Sequence, residues 1–424
     1  MKKLLLSMAA VPLMVGSLSV SASADDGINI LNDVKVKGEI RPRFETAQVS
    51  ENGKDRANAL TARTHLVVSA GLLGIENLTA TIGLQSVNNF GYDNYNSTDN
   101  GKTDYDVIKD PNFAMLSEAS LDYTIDKTAL HAGRSHVNLD NQRFIGTVGW
   151  RQVERSYDTV YAANSSVKNL DLLAAYVYGF QGVGAGTTTN SNSVLLHAKY
   201  KVMDELSITA YDYMLAVGVQ GIDSDTYGIA LTGKVNVGAK LSYRAEYAVQ
   251  KDPTMELGTN LASGKDPEAD ADYYNLDLGA NISGILAGVN YEVLSGTNGT
   301  DGKTTFNPAL GTNHKFNGWA DVFYVANKPI GGLKDANVRL GYTAKGFGKV
   351  LAVYHDFKAD EDMPTPTAKT TDDLGSEFDI VYVNAIPGVK NLKGLVKYAS
   401  YSKGDATGYT NDKTVGWVQL DYKF

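Results

Sequence analysis

Arginine is the residue type whose placement in this sequence most suggests chemistry. Eight of the ten arginines (Arg41, Arg43, Arg56, Arg63, Arg134, Arg143, Arg151 and Arg155) precede residue 160, and the other two are Arg244 and Arg339. A guanidinium keeps its charge and presents a planar donor fork, so a ring of them attracts carboxylates and phosphates. Arg41 and Arg43 fall on one side of an alternating pattern with Lys37, Glu39 and Glu45, while Ile40, Pro42 and Phe44 fall on the other. Arg63 and His65 oppose Ala62, Thr64, Leu66 and Val68 in the same way. Two readings follow. The arginines line a path for anions, or they pair with neighbours such as Glu39, Glu45, Glu118, Glu154 and Glu246 and hold a wall together. The path residues expected here are Arg41, Arg43, Arg63, Arg143, Arg151, Arg155, Arg244 and Arg339.

Other chemistry has little support in the residue types. The chain has no Cys, which excludes a thiolate metal site, a cysteine nucleophile and a disulfide scaffold. Six histidines are scattered (His65, His131, His136, His197, His314 and His355), and no Gly-x-Ser-x-Gly is present, so no enzyme is expected. The acidic stretches Lys265 to Asp272 and Asp360 to Asp362 lack the Asp-x-Asp-x-Asp-Gly spacing of a calcium loop and read as solvated charge. Gly182 to Gly186 has no Lys-Ser/Thr after it and reads as a flexible loop, not a phosphate cradle. No metal or cofactor is implied. A net charge of −9 and a pI near 5.2 argue against a nucleic-acid partner.

The residues must be positioned by something, and the first 24 supply only an address. Lys2 and Lys3 precede an apolar stretch, Leu4 to Val20, and Ala22-Ser23-Ala24 is a small-x-small cleavage site before Asp25. Residues 1–24 therefore read as a signal peptide and residues 25–424 as one exported domain.

Period two dominates that domain. Phe424, Tyr422, Leu420 and Val418 share one face of the last segment, and Lys423, Asp421, Gln419 and Trp417 share the other. Leu241, Tyr243, Ala245, Tyr247 and Val249 oppose Ser242, Arg244, Glu246 and Gln250. Val194, Leu196, Ala198 and Tyr200 oppose His197, Lys199 and Lys201. Tyr274, Leu276, Leu278, Ala280 and Ile282 form a third apolar face, and Val338, Leu340, Tyr342 and Ala344 a fourth. A soluble sandwich also alternates, but its cores do not tolerate unpaired charge, whereas a wet lumen does. Long segments and Tyr-rich apolar faces suit strands that cross a bilayer at a tilt. The predicted fold class is all-β, a transmembrane antiparallel β-barrel.

Turn spacing then predicts the topology. Tight turns near residues 73–76, 126–128, 165–169, 203–205, 237–239, 283–285, 346–349 and 387–392 alternate with long polar stretches. In such barrels short turns face the periplasm and long loops the exterior. Counting strand-like segments yields nineteen, whereas single-chain bacterial barrels have an even number. Assigning residues 315–325 to one long loop, residues 296–336, restores evenness, so eighteen strands are expected, with sixteen as the alternative. The terminal aromatic, with Tyr422 two residues before Phe424, resembles the signal read by the barrel assembly machinery.

Four blocks carry a family likeness. Asn141 to Gln152 followed by Tyr157-Asp158, then Gly318-Trp319-Ala320-Asp321, Val353 to Phe357, and Leu395 to Ser400 before the last strand resemble the alginate-export-like porin family. The resemblance implies an eighteen-stranded outer-membrane barrel with residues 318–321 in a loop. The function it implies is a water-filled channel for passive diffusion of small hydrophilic solutes, to which the arginine-lined path would add a preference for anions. A dedicated export channel for an anionic polysaccharide such as alginate is the alternative. The expected partners are outer-membrane lipid, the barrel assembly machinery and small hydrophilic or anionic solutes.

Overall fold

The computed structural model describes residues 30–184, 186, 188–217, 223–254, 270–297, 305–324 and 328–424. The expected signal peptide lies outside these residues, as do residues 265–269 of the acidic stretch and residue 185 of the glycine run. Nineteen strands form one antiparallel sheet: β1 (Leu31–Val49), β2 (Ala57–Leu72), β3 (Leu78–Asn88), β4 (Asp93–Asn94), β5 (Phe113–Ile125), β6 (Thr128–Ser135), β7 (Ser156–Asn164), β8 (Leu170–Gln181), β9 (Thr189–Met203), β10 (Leu206–Ala216), β11 (Asp223–Asn236), β12 (Lys240–Thr254), β13 (Ala271–Ile282), β14 (Ile285–Leu294), β15 (Leu333–Ala344), β16 (Gly348–Pro364), β17 (Thr370–Ala385), β18 (Leu392–Ser402) and β19 (Lys413–Lys423). The two-residue β4 only extends the pairing of β2, so β3 pairs with β5 and eighteen strands make the wall. β19 returns to pair with β1, Phe44 opposite Val418 and Glu39 opposite Lys423, and the sheet closes. Closure leaves no unpaired edge, which is the condition for a sheet to exist in hydrocarbon.

All eight expected tight turns fall between consecutive strands, and residues 315–324 lie in the loop between β14 and β15; residue 325 lies outside the described residues. The faces also follow the alternation. Leu196, Tyr200, Leu241, Tyr247, Tyr274, Leu276, Val338, Leu340, Val418 and Leu420 are exposed on the outer wall. Arg43, Arg63, Glu246, Lys397 and Trp417 are buried in the lumen.

One boundary differs from expectation. Residues 358–373 read as a loop, yet β16 continues to Pro364 and β17 begins at Thr370. Ala359 and Met363 are buried on the inner side there, while charges such as Lys358 and Asp362 point outward into water. A strand that rises above the bilayer keeps its inward apolar positions but gains polar outward ones, which in sequence looks like a loop.

The seam depends on one glycine. Gly38 and Phe424 exchange backbone hydrogen bonds, N–H to O at 2.8 and 3.0 Å. The Phe424 ring lies across the space a Cβ on Gly38 would occupy, so the terminal aromatic covers an otherwise bare stretch of β1.

Candidate functional site

The lumen is not an open tube. Two loops turn into it: residues 136–155, after β6, and the described residues 295–297, 305–324 and 328–332, after β14. They are bonded to each other through backbone groups, with Gly146 N–H to Leu310 O at 2.9 Å and Thr312 N–H to Gln142 O at 2.9 Å. Phe144 from the first loop and Phe306 from the second pack edge-on or tilted against Tyr211 and Tyr273 of the wall. The aromatic body excludes water from one side of the lumen, and the Tyr hydroxyls remain satisfied by Glu246 and Glu292 at 2.8 Å each.

The arginines tie these loops to the wall. Arg41 and Arg43 on β1 donate to the carbonyls of Gly149 (3.0 Å) and Trp150 (2.6 Å). Arg41 also pairs with Glu39 at 2.6 Å, and Arg43 lies 3.6 Å from both Glu45 and Asp110. Arg63 on β2 reaches Glu154 of the first loop at 2.8 Å. Arg151 reverses the direction, running from the loop to Glu45 at 3.0 Å and to Asp321 of the second loop at 3.1 Å. Arg143 is buried against Glu292 of β14 at 2.9 Å and donates to Asn317 at 2.8 Å. Arg155 donates to the carbonyls of Leu310 (2.5 Å) and Gly146 (3.1 Å) and to Tyr157 Oη. Arg244 bridges Glu246 at 2.8 Å and Asp140 of the first loop, and Arg339 pairs with Asp277 at 2.7 Å. All eight path arginines therefore sit in the lumen or in its inward loops. Seven have a carboxylate partner; Arg155 is held by carbonyls and a hydroxyl.

Sequence reasoning passed over the residues where both inward loops meet β18. All three tryptophans converge on Lys397 of β18, whose Nζ lies 4.0 Å from the ring centres of Trp150 and Trp319 and 5.0 Å from that of Trp417. Lys397 Nζ is 2.7 Å from His314 Nε2, and His314 Nδ1 is 2.9 Å from Asp321 Oδ1. Lysine can only donate, so Nε2 accepts and the proton of a neutral His314 sits on Nδ1, donating to Asp321. Trp150 stacks flat on His314 at 4.7 Å. Beside them, the N–H groups of Trp319 and Ala320 donate to Asp379 (3.2 Å) and Glu377 (2.7 Å) on β17. Gly318 makes that approach possible: its φ is +84°, and a Cβ there would collide with the Glu377 carboxylate. A signal was present. Asn141 to Gln152, Gly318 to Asp321 and Leu395 to Ser400 are three of the four family-like blocks, and the fold brings them to this one place.

Acidity should loosen the clasp. Burial holds the His314 imidazole down at about 3, with Lys397 reinforcing and Asp321 opposing. The released loop has the ordinary value near ~6.5, so the folded clasp gains stability above that pH and loses it as pH falls from about 6.5 towards 3. Each pH unit in that window costs up to ~1.4 kcal/mol from this group. Glu154 acts lower: burial raises its pKa, but His136 and Arg63 overcome that and hold it at about 2, so its contribution is lost between its ordinary value and 2. The heat needed to convert the folded gel band to the unfolded one, measured from pH 7 to 4, should fall for the native chain. It should fall less for His314→Gln.

Among the described residues a Ser-His-Asp chain runs from Asp122 to His131 at 2.7 Å and from His131 to Ser135 at 3.1 Å. His131 is stacked on Tyr161 at 4.4 Å and only 2% of its side chain is exposed. It is closed to a reactant and knits β5 to β6.

An eighteen-stranded barrel with inward loops and a charged lumen is a porin-type architecture, and known structures share it. Acinetobacter baumannii OccAB4 superposes with a TM-score of 0.67 at 13% identity, covering 93% of this chain and 98% of that one. Pseudomonas aeruginosa OpdO gives 0.67 at 12%, covering 93% and 98%. Pseudomonas aeruginosa OccK8 (OprE) gives 0.65 at 15%, covering 92% and 98%. At such identities the likeness establishes the fold. No family model matches the chain. No curated protein matches it either. The chain thus has the fold of the Occ/Opd outer-membrane porins, while its specific likeness to the alginate-export-like family has no support from these comparisons.

Proposed function

We propose that the protein is an outer-membrane channel for passive diffusion of small hydrophilic solutes, and not an enzyme. The observation that carries this reading is the pairing of an apolar outer wall with a charged lumen narrowed by two anchored loops. The test is conductance of the refolded protein in a planar bilayer. Insertion without any open state would overturn it.

Within that reading the channel prefers anions, modestly. Most lumenal charge is neutralised in pairs, but Lys397 and Arg155 have no carboxylate within 4 Å among the described residues. A buried carboxylate without a cation partner, Glu377, is capped by the Ala320 N–H. In a low-dielectric constriction an unbalanced ammonium focuses the field on passing ions. Salt weakens the effect, because the Debye length is ~10 Å at 0.1 M. The reversal potential across a salt gradient should favour anions, and Lys397→Met should shift it towards cations. Arg41→Ser or Arg43→Ser should shift it in the same direction, since each removes one positive charge and leaves a carboxylate unpaired. A cation-selective native channel would remove the preference and leave the channel; passage of polyuronate would favour polymer export.

Export by a signal peptide at residues 1–24 and insertion by the barrel assembly machinery complete the proposal. Tyr422 and Phe424 lie with ring centres 5.8 Å apart at the seam, where β19 must find β1. Deleting Phe424, or Tyr422→Ser with Phe424→Ser, should lower outer-membrane yield while leaving periplasmic export intact. Equal yield would remove the assembly role.

A further inference from the structure

The two ends of the barrel carry opposite charge. At the short-turn end, Lys199, Lys234 and Lys240 follow the inward alternation of β9, β11 and β12, in step with the buried Leu195, Thr226 and Glu246. On β16, β18, β19 and β1 the same holds for Lys349, Lys393, Lys423 and Lys37, in step with Val353, Lys397, Trp417 and Arg41. Six of the seven are exposed and Lys199 is half-buried. No carboxylate among the described residues lies within 4 Å of any of them. They form an arc running from β9 to β19 and on to β1, the larger part of the mouth. Asp122 and Asp171 face inward on the remaining wall, and Asp122 is held by His131 at 2.7 Å.

The long-loop end, which in such barrels faces the exterior, is acidic. Residues 89–112 carry five carboxylates against two lysines, and residues 358–373 repeat that balance. Lys102 pairs with Asp93 at 3.6 Å and Lys358 with Asp372 at 3.3 Å, so acid stays in excess. Between the two ends most lumenal arginines are matched by carboxylates, and the middle adds little net field.

We propose that the channel is an ionic rectifier, conducting better when its exterior side is positive. The proposal rests on the channel reading. With the exterior positive, cations enter through the acidic end and anions through the lysine arc. Each end then supplies the carrier it concentrates, and the lumen fills with charge carriers. Reversing the field makes each carrier enter through the end that repels it, and the lumen is depleted. A passive pore gives no net flow without a driving force, so the asymmetry shows only under voltage. Fixed charge acts over a Debye length, which is ~30 Å at 0.01 M salt and ~3 Å at 1 M. The longer figure matches the ~25 Å apolar height of such a barrel, so at low salt the ends govern the whole path.

Protein added to one chamber of a planar bilayer inserts with its short turns leading, because the charged loops cannot cross hydrocarbon. The exterior then faces the chamber of addition. Thr367→Cys, exposed between β16 and β17, checks that orientation in vesicles with an impermeant maleimide, since the chain has no Cys of its own. At ~0.01 M salt the current with that chamber positive should exceed the reverse current about two-fold or more, and the ratio should approach one at ~1 M. Lys199→Gln with Lys234→Gln and Lys240→Gln should bring the low-salt ratio towards one. That variant should keep its high-salt conductance and its heat-modifiable band. The opposite polarity, a linear low-salt current, or an unchanged ratio in the triple variant would overturn the proposal. An open but linear channel defeats this proposal alone; a barrel that inserts and never conducts defeats the channel reading and this proposal with it.

Discussion

Replacing Phe306 to Asp321 with a short Gly-Ser linker is expected to raise single-channel conductance several-fold. Ionic current through a wet barrel is limited by its narrowest section. Residues from this segment occupy the lumen: Phe306 against Tyr273, His314 and Trp319 around Lys397, and Asp321 between Arg151 and His314. The wall should survive the change, since β14 and β15 pair directly over ten consecutive residues independently of the loop between them. Ion selectivity should change at the same time, because Asp321 leaves while Arg151 and Lys397 remain. Conductance recorded in planar bilayers at low and high salt decides it. An unchanged conductance would place the ion path away from the clasp.

The second expectation is a large loss of stability in Arg143→Ala. Arg143 and Glu292 are 0% and 2% exposed, so solvent screens the pair little. Removing one partner leaves a buried carboxylate whose remaining neighbours, Asn317 and Tyr273, are neutral donors. Breaking such a pair typically costs ~3–5 kcal/mol, whereas replacing both partners with apolar residues of similar volume is often nearly neutral. The heat-conversion midpoint on a gel should fall sharply for Arg143→Ala and recover in Arg143→Met with Glu292→Leu. Arg339→Ala is the contrast. Arg339 and Asp277 are 29% and 28% exposed, and an exposed pair contributes ~0–1 kcal/mol. Similar losses in the two single variants would mean the lumen wets Arg143 as freely as Arg339.

How much of the site was legible is clearest from Arg43. Alternation alone put it on the polar face with Glu45, and the structure agrees. Its partners besides Glu45 are Gln419, Asp110 and the Trp150 carbonyl, which lie far away in the chain. A local pattern cannot register them, because a loop that folds into a lumen leaves no period in the sequence. The same holds for Lys397. It is one of many lysines on polar faces until Trp150, Trp319 and Trp417 arrive from two loops and a neighbouring strand. Residues 358–364 show the converse limit, where a real strand was hidden because water, not lipid, lay outside it.

Side-chain period, turn spacing and even parity belong to the chain itself. A strand shows its two faces at every second residue, and lipid outside with water inside demands opposite chemistry on them. These local facts determine the barrel, its eighteen strands and which residues point inward. Which inward charges stay free is a different kind of fact. It depends on two loops of about twenty and forty residues reaching the same height in the lumen and choosing partners there. Only the tertiary structure decides that, because the energy of a charge depends on what stands within a few ångströms of it, and alternation says nothing about distance across a lumen.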